Sequence, residues 1–359
     1  MRTDPRKDRQ LLQALKQVAP GTALRSGIDD IIRARLGALI VIGEPSSLAF
    51  LFSGGMRLDL PFTSQHLYEL AKMDGAIIVN SAISRLVYAN VQLMPDPNIQ
   101  SSETGTRHRT AERVAKQTDA LVVSISQQRE TVTVFHGDLR YQLGEISDVL
   151  ARTNQALGTL ETYRQRLDQG ATRLTALEFQ GAVTLDDVLV VLQRAEMTTR
   201  MAEEIERNCI ELGLEGRLIR MQLDELMEDV PREKAAIVFD YEAEPGRNAT
   251  LLEELAGLPF QRLLDLEELS TLLAYPRDVN PLDLSVQPRG YRVLAQVPRL
   301  PESVVRQVVR DFGSLDAIIR ASHRDLEAVD GVGSVRAREI REGLRRLQEH
   351  NLVDRYLQL

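Results

Sequence analysis

The chain has little of what several protein classes need. Its 359 residues contain one cysteine, Cys209, so an internal disulfide is impossible and a reducing compartment is favoured. No apolar run approaches the roughly 18 residues of a membrane-spanning helix. The first ten residues, MRTDPRKDRQ, are too charged for a signal peptide. These absences predict a cytoplasmic protein that does not enter a membrane.

Several catalytic signatures are missing as well. The chain contains no GxxxxGK[ST] phosphate loop and no HExxH zinc motif, and its five histidines are scattered. A CxxC metal site needs a second cysteine and is therefore excluded.

Length and charge divide the chain into parts. Its length exceeds one ordinary core and predicts roughly two or three domains. A net charge of −8 argues against indiscriminate nucleic-acid binding. Residues 1–149 carry 17 basic and 16 acidic side chains, and residues 150–285 carry 14 and 26. Residues 286–359 carry 13 basic side chains, all arginine, and 10 acidic ones, so this segment is locally the most basic.

The first segment alternates short apolar runs with helical patterns. Helical spacing appears at 63–73 and 109–118, and a hairpin turn is expected at 136–138. Strands are expected at 37–43, 48–52, 76–80, 85–93, 120–126 and 131–135. The mixture predicts an α/β domain with a mixed sheet over residues 1–145.

The rest of the chain reads as helical. From Ile146 the apolar positions recur about every 3.5 residues, which predicts a long helix packed as in a bundle. The helical pattern continues through 184–212, so residues 146–285 are expected to form an all-α linker or oligomerisation domain. Residues 275–292 are rich in Pro and Asp, as is typical of a linker. Residues 286–359 are expected to form a third, α-helical domain.

Residues 105–115, GTRHRTAERVA, place three potentially cationic side chains in a row: Arg107, His108 and Arg109. Neighbours on a helix diverge by about 100°, so the three either form a solvated charge run or lie on a loop that wraps an anion. Thr106 or Thr110 would cap the helix that follows. The free N–H groups and positive dipole end of that helix would then face a phosphate, to which arginines add bidentate contacts.

Asp74 and Gly75 stand between a predicted helix and the apolar run 76–80. Asp-Gly is among the commonest turn dipeptides, so an ordinary turn is one interpretation. The other is a carboxylate held at the edge of the sheet, where glycine lets a ligand approach the backbone closely. Such a carboxylate can hold Mg²⁺ or Mn²⁺ beside phosphates.

Residues 326–344, LEAVDGVGSVRAREIREGL, interrupt a helical pattern with the turn Gly331-Val332-Gly333. Arg336 stands where a dinucleotide fingerprint needs its third glycine, so a Rossmann site is excluded. The stretch looks like a helix-hairpin-helix motif, in which glycines bring the backbone close to a DNA phosphate. A tight turn between packed helices is the alternative.

The pair MDGAIIV and GTRHRTAERVA resembles the paired signatures of the diadenylate cyclase family. With the helical middle and the C-terminal glycine hairpin, the resemblance covers essentially the whole chain. It implies synthesis of cyclic di-AMP and pyrophosphate from two ATP molecules, in a homo-oligomer with face-to-face cyclase domains. It also implies a nucleoid-associated protein whose helix-hairpin-helix domain senses branched or damaged DNA.

The resemblance also implies site residues. Asp74 corresponds to the catalytic acid that binds Mg²⁺ or Mn²⁺ and prepares the ribose 3′-hydroxyl. The implied ATP-binding positions are Gly75, Leu93, Thr106, Arg107, His108, Arg109, Thr110 and Ser126. The implied DNA-binding positions are Gly331, Val332, Gly333, Arg336 and Arg338. His108 serves either as a phosphate donor or in packing. Neutral Gln127 and Gln128 leave an alternative open, a non-catalytic nucleotide-binding scaffold that recognises branched DNA.

Overall fold

A computed structural model describes residues 5–244, 246–276, 280 and 284–357. The chain divides into two compact units. One, the sheet unit, comprises the described residues up to Gln155 together with Ile205–Gln222. The other, the helical unit, comprises Ala156–Glu204 and the chain from Leu223 onward.

The sheet unit contains one mixed sheet with helices on both sides. Its first helices are α1 (Pro5–Val18), α2 (Ala23–Arg33), α3 (Pro45–Leu48), α4 (Ser64–Leu70) and α5 (Thr106–Gln117). The strands are β1 (Ala38–Ile42), β2 (Phe52–Ser53), β3 (Met56–Pro61), β4 (Ala76–Val79), β5 (Arg85–Leu93), β6 (Leu121–Ile125), β7 (Val132–His136) and β8 (Leu139–Gln142).

The strand order within the described residues is β2-β5-β4-β1-β6-β7-β8, with β3 also paired to β5. Strand β1 is parallel to β4 and antiparallel to β6. The remaining pairs are antiparallel, so the predicted mixed sheet is confirmed.

Both faces of the central strands of the sheet are buried. Alternate residues of β1, such as Ile40, pack in one apolar cluster with α1, α2 and α4. The intervening residues, such as Val41, pack in a second cluster with α5. Because side chains alternate between faces and both faces are covered, the central strands read as continuous apolar runs.

One predicted strand is not formed, and two strands of the structure were not predicted. The run 48–52 is mainly helical, because Leu48 and Leu51 are buried at a spacing of three while Phe50 is 65% exposed. Strands β3 and β8 were not predicted. Both lie at the margins of the sheet with many exposed residues, so neither carries a strong apolar signal. The hairpin turn after His136 is confirmed, since His136 pairs with Leu139.

The remaining helices confirm the helical middle of the chain. They are α6 (Ile146–Gln180), α7 (Leu185–Leu212), α8 (Arg217–Met227), α9 (Val230–Tyr241), α10 (Asn248–Gly257), α11 (Phe260–Leu263), α12 (Leu266–Leu272), α13 (Tyr291–Ala295), α14 (Glu302–Phe312), α15 (Leu315–Arg320), α16 (His323–Glu327) and α17 (Ser334–Leu357). The predicted repeat along α6 is buried at Leu157, Leu160, Leu167 and Leu174. In the described part of the chain, no helix is both long and apolar enough to span a membrane.

The predicted linker 275–292 is only partly described, since 277–279 and 281–283 lie outside the described residues. The part from Leu284 onward is packed, which contradicts the prediction. Leu284 accepts a hydrogen bond from the N–H of Leu185, and Val286 donates one to Val183. The Pro and Asp residues indicated a linker here, but long-range backbone hydrogen bonds order the segment from Leu284 onward.

Asp240 and Arg292 order the end of this segment. The Asp240 carboxylate accepts hydrogen bonds from the backbone N–H groups of Gly290, Tyr291 and Arg292 at 2.6–2.8 Å. The Arg292 side chain is fully buried and pairs with Glu178, and with Glu233 at 2.9 Å. Burial alone would lower the pKa of Arg292, but the two carboxylates outweigh it and raise that pKa. The guanidinium therefore stays charged inside the helical unit.

Replacing Arg292 should be strongly destabilising. Arg292→Met leaves the carboxylates of Glu178 and Glu233 without their buried partner, which is expected to cost about 3–5 kcal/mol of unfolding free energy. Arg320→Met is the control, because Arg320 is exposed in an i,i+4 pair with Asp316. Its loss should be below about 1 kcal/mol. Urea unfolding of both variants measures the difference, and equal losses would contradict the importance of the buried network.

Candidate functional site

Four strand ends meet at one edge of the sheet. Strands β1 and β4 begin there because they are parallel, and β5 and β6 end there because each is antiparallel to its neighbour. Asp74 and Gly75 directly precede β4, Leu93 closes β5, and Ser126 follows β6. The topology therefore gathers these predicted residues, which are distant in the chain, along the same edge.

Helix α5 begins at this edge earlier than predicted. It starts at Thr106 with Gly105 as its N-cap, and no side chain caps it. Of the two interpretations of the cationic triplet, the loop is therefore wrong, and so is the prediction of a threonine cap. The first turn is polar, so the apolar periodicity that starts at Ala111 placed the start of the helix too late.

The triplet side chains diverge, as helix geometry requires. Arg107 is half-buried and reaches β1, where a Cβ added to Gly37 would lie 2.2 Å from its Nη1 atom. Arg109 is exposed and donates to the Thr104 carbonyl at 3.1 Å. Burial lowers the pKa of His108, which favours the neutral imidazole at pH 7. Gly37 thus makes room for Arg107, a role that a glycine before a strand does not reveal in sequence.

A cavity of about 450 Å³ lies between the first turns of α5 and the strand ends. Its lining includes five of the predicted ATP-binding residues, namely Gly75, Leu93, Thr106, Arg107 and Thr110. His108, Arg109 and Ser126 do not line it, and Asp74 adjoins it through Gly75. Sequence reasoning missed the other lining residues, because strand register is needed to place them: Leu39, Ala76, Val91 and Gln92.

Gly75 is required by the protein's own backbone. Its φ is +94°, a region that side chains disfavour, and a Cβ there would lie 2.9 Å from the carbonyl carbon of Asn90. Asn90 itself has a φ of +54°, and the pairing of β4 with β5 shifts register next to it. The irregular pairing brings β5 against the turn, so the turn that holds Asp74 needs a glycine.

Asp74 is exposed beside the cavity. Within the described ranges, no three His, Cys, Asp or Glu side chains are grouped to hold a metal. A lone carboxylate nevertheless fits Mg²⁺ or Mn²⁺, because Mg²⁺ in particular is commonly held by one or two carboxylates together with substrate phosphates. Asp74 is the side chain at this edge that would hold such a cation.

The segment before α5 is anchored to the helix. Glu112 is only 6% exposed, accepts the N–H of Ser102 at 3.0 Å and pairs with Lys116 at 2.8 Å. Arg113 donates to a carbonyl of the same segment. Burial alone would raise the pKa of Glu112, but hydrogen bonds from Lys116 and Ser101 outweigh it and lower that pKa. These contacts hold the segment that precedes α5 against the side of the helix.

The fold and the site together define a class. A mixed α/β unit that presents a helix N-terminus and an arginine at a cavity suits nucleotide phosphates. Residues 25–139 match the family model described as DisA bacterial checkpoint controller nucleotide-binding. Residues 143–282 match the model for the DisA bacterial checkpoint controller linker region. The chain thus contains a nucleotide-binding α/β domain followed by a helical linker region.

Whole proteins of the same kind are similar over nearly the full length. DNA integrity scanning protein DisA from Acetivibrio thermocellus is 46% identical, over 98% of each chain. The protein of that name from Carboxydothermus hydrogenoformans is 49% identical, over 96% of this chain and 98% of its own. The one from Kineococcus radiotolerans is 48% identical over 99% of each. The chain therefore belongs to the DisA family.

Substituting Gly75 tests the close contact with β5. Gly75→Ala should lose about 1–2 kcal/mol to its left-handed φ and a further ~1–3 kcal/mol to the contact with Asn90. Gly137→Ala is the control, since Gly137 has a φ of +57° but nothing within 4 Å of an added Cβ. Chemical denaturation should show the larger loss for Gly75→Ala. The same loss in both variants would rule out the backbone contact as a constraint.

Proposed function

We propose that this protein is a diadenylate cyclase that condenses two ATP molecules into cyclic di-AMP with release of pyrophosphate, and that its C-terminal helices sense branched or damaged DNA. The cavity lined by Gly75, Leu93 and the first turns of α5 carries this proposal. Membership of the DisA family supports it.

The start of α5 provides the phosphate contacts. The backbone N–H groups of its first turn have no partner within the helix, and the positive end of its dipole points the same way. Thr106, Arg107 and Thr110 line the cavity beside these groups. Leu39 and Val91 also line the cavity and supply an apolar surface against which a base can pack.

The reaction joins a ribose 3′-hydroxyl to the α-phosphorus of a second ATP, and pyrophosphate leaves. Positioning and neutralisation of charge dominate such a transfer. Arg107 and the α5 N-terminus offset charge on the phosphates, and Asp74 would hold the cation. When bound, Mg²⁺ or Mn²⁺ lowers the pKa of the attacking hydroxyl and neutralises phosphate charge.

Ring closure requires two copies of the site. One cavity holds one ATP, whereas the product contains two phosphodiester bonds between two nucleotides. Two protomers must therefore bring their sheet edges together, each supplying one bound ATP. The exposed position of Asp74 at this edge suits a face-to-face homo-oligomer.

The turn between α16 and α17 supports the DNA-sensing half of the proposal. Val332 is buried and anchors the turn, while Gly331 and Gly333 are exposed with nothing within 4 Å of an added Cβ. Arg336 donates to the Gly331 carbonyl at 2.6 Å and braces the turn, and Arg338 remains exposed. An exposed backbone at a helix N-terminus can approach a DNA phosphate without reading bases.

A non-catalytic scaffold that binds nucleotide and branched DNA is the second candidate function. Ser126 does not line the cavity, and its Oγ accepts a hydrogen bond from the N–H of Arg129. Gln127 and Gln128 beside it are neutral. The segment after β6 thus provides less positive charge for phosphates than the start of α5 does.

The substitution Asp74→Asn distinguishes the diadenylate cyclase from the non-catalytic scaffold. The change keeps the shape of the turn but removes the charge that holds the cation, so turnover should fall about 100-fold or more while ATP still binds. Asp138→Asn is the matched control, because Asp138 is an exposed turn aspartate at the opposite edge of the sheet. Chromatographic measurement of cyclic di-AMP should show normal turnover for the control.

Two results would contradict the proposal. Near-normal turnover by folded Asp74→Asn would remove Asp74 from the mechanism. ATP binding without any product from the wild-type protein, with Mg²⁺ or Mn²⁺ present, would favour the scaffold.

Replacing both turn glycines tests the DNA contact. Gly331→Val/Gly333→Val should weaken binding to a four-way DNA junction by about tenfold or more, because the added side chains separate backbone and phosphate. Gly333→Val alone introduces no clash and keeps the fold as a second test. Gly257→Val, at an open position on α10, is the control. Fluorescence anisotropy measures binding, and unchanged affinity in both turn variants would exclude this turn as the contact.

A further inference from the structure

A groove of about 480 Å³ follows the turn between α16 and α17. His323, the first residue of α16, forms one side of it. Side chains of α17 form the other: Arg338, Arg341, Glu342 and Arg345. Three arginines and one glutamate thus line a groove in the most basic segment of the chain.

The arginines share one face of α17. Positions 338, 341 and 345 are separated by three and four residues, so their side chains lie in a row. At 1.5 Å per residue the row is about 10 Å long. Successive phosphates of one DNA strand rise about 3.4 Å along the duplex axis, so the row can meet more than one phosphate.

The arginines remain available to an anion. Arg341 forms no ion pair with any side chain that the structure describes. Arg345 forms an ion pair with Glu349 at 3.5 Å. The negative charge of Glu342, which lines the groove, is offset by an ion pair with Arg346 at 3.5 Å. Exposed pairs of this kind hold their partners weakly, so a phosphate can replace Glu349 beside Arg345.

The groove is continuous with the glycine turn. The Nε2 atom of His323 lies 3.3 Å from the Oγ of Ser334, which begins α17 directly after Gly333. A DNA backbone in contact with the turn therefore meets the groove next.

We propose that this groove is a second phosphate-binding subsite for DNA, in which Arg341 and Arg345 contact phosphates next to the one held at the glycine turn. This inference rests on the proposed DNA function. Guanidinium groups bind phosphate oxygens bidentately whatever the base, so the subsite adds affinity without sequence preference.

The test uses the full chain with Arg341 and Arg345 both replaced by glutamine. Anisotropy titrations of a four-way junction over a salt series give the slope of log affinity against log salt. Loss of two phosphate contacts should reduce that slope by about 1.8 and weaken low-salt binding about tenfold or more. Arg173→Gln/Arg262→Gln removes the same charge from exposed positions of the helical unit and should keep the wild-type slope.

The outcomes separate the subsite from the DNA function itself. A wild-type slope for the Arg341/Arg345 variant, with the wild-type protein binding DNA normally, overturns the subsite alone. Absence of any DNA binding by the wild-type protein overturns both. Calorimetric binding of inorganic phosphate that is lost in the variant while DNA binding persists would assign the groove to a free anion and overturn the proposal. Thermal unfolding at the wild-type temperature confirms that the variant is folded.

Discussion

The hydrogen-bond register of β1 decides which residues meet at the candidate site. Leu39 of β1 lies opposite Ala76 of the parallel strand β4 and Ser124 of the antiparallel strand β6. The turn that precedes β4 and the segment that follows β6 are therefore at the same edge. A slip of one residue would send the buried residues of β1 to the wrong faces. Burial on both sides of the sheet thus maintains a site that itself lies at the sheet's margin.

The helical unit depends on a different constraint, a buried charge that must be satisfied. Arg292 lies among carboxylates and Asp240 accepts three backbone N–H groups beside it. Networks of this kind add little net stability compared with apolar packing, but breaking one is costly. The three bonds to Asp240 hold the backbone at the start of α13. Val293 and Leu294 of α13 pack in the apolar cluster of the C-terminal helices.

The cationic triplet shows which features of the site residue patterns predict and which they do not. Its composition indicated an anion site, and the resemblance to diadenylate cyclases named its residues. The loop conformation predicted for it was wrong, because a polar first turn carries no apolar signal to mark where α5 begins. Helix geometry then directs Arg107 to the cavity and Arg109 away from it. The role of Gly37 depends on the Arg107 guanidinium beside it. No local sequence pattern predicts that contact.

The sequence by itself determined the mixed sheet, the long helices and the turns at Asp74-Gly75 and Gly331–Gly333. Apolar periodicity and turn residues record local burial and local backbone conformation, so they can be read along the chain. Only the tertiary structure decided that the segment from Leu284 is packed and that five predicted residues share one cavity. Those outcomes depend on strand register and on buried charge pairs between residues far apart in sequence. The free energies of strand pairing and of buried ion pairs arise between distant residues. They therefore cannot be inferred from any single stretch of the sequence.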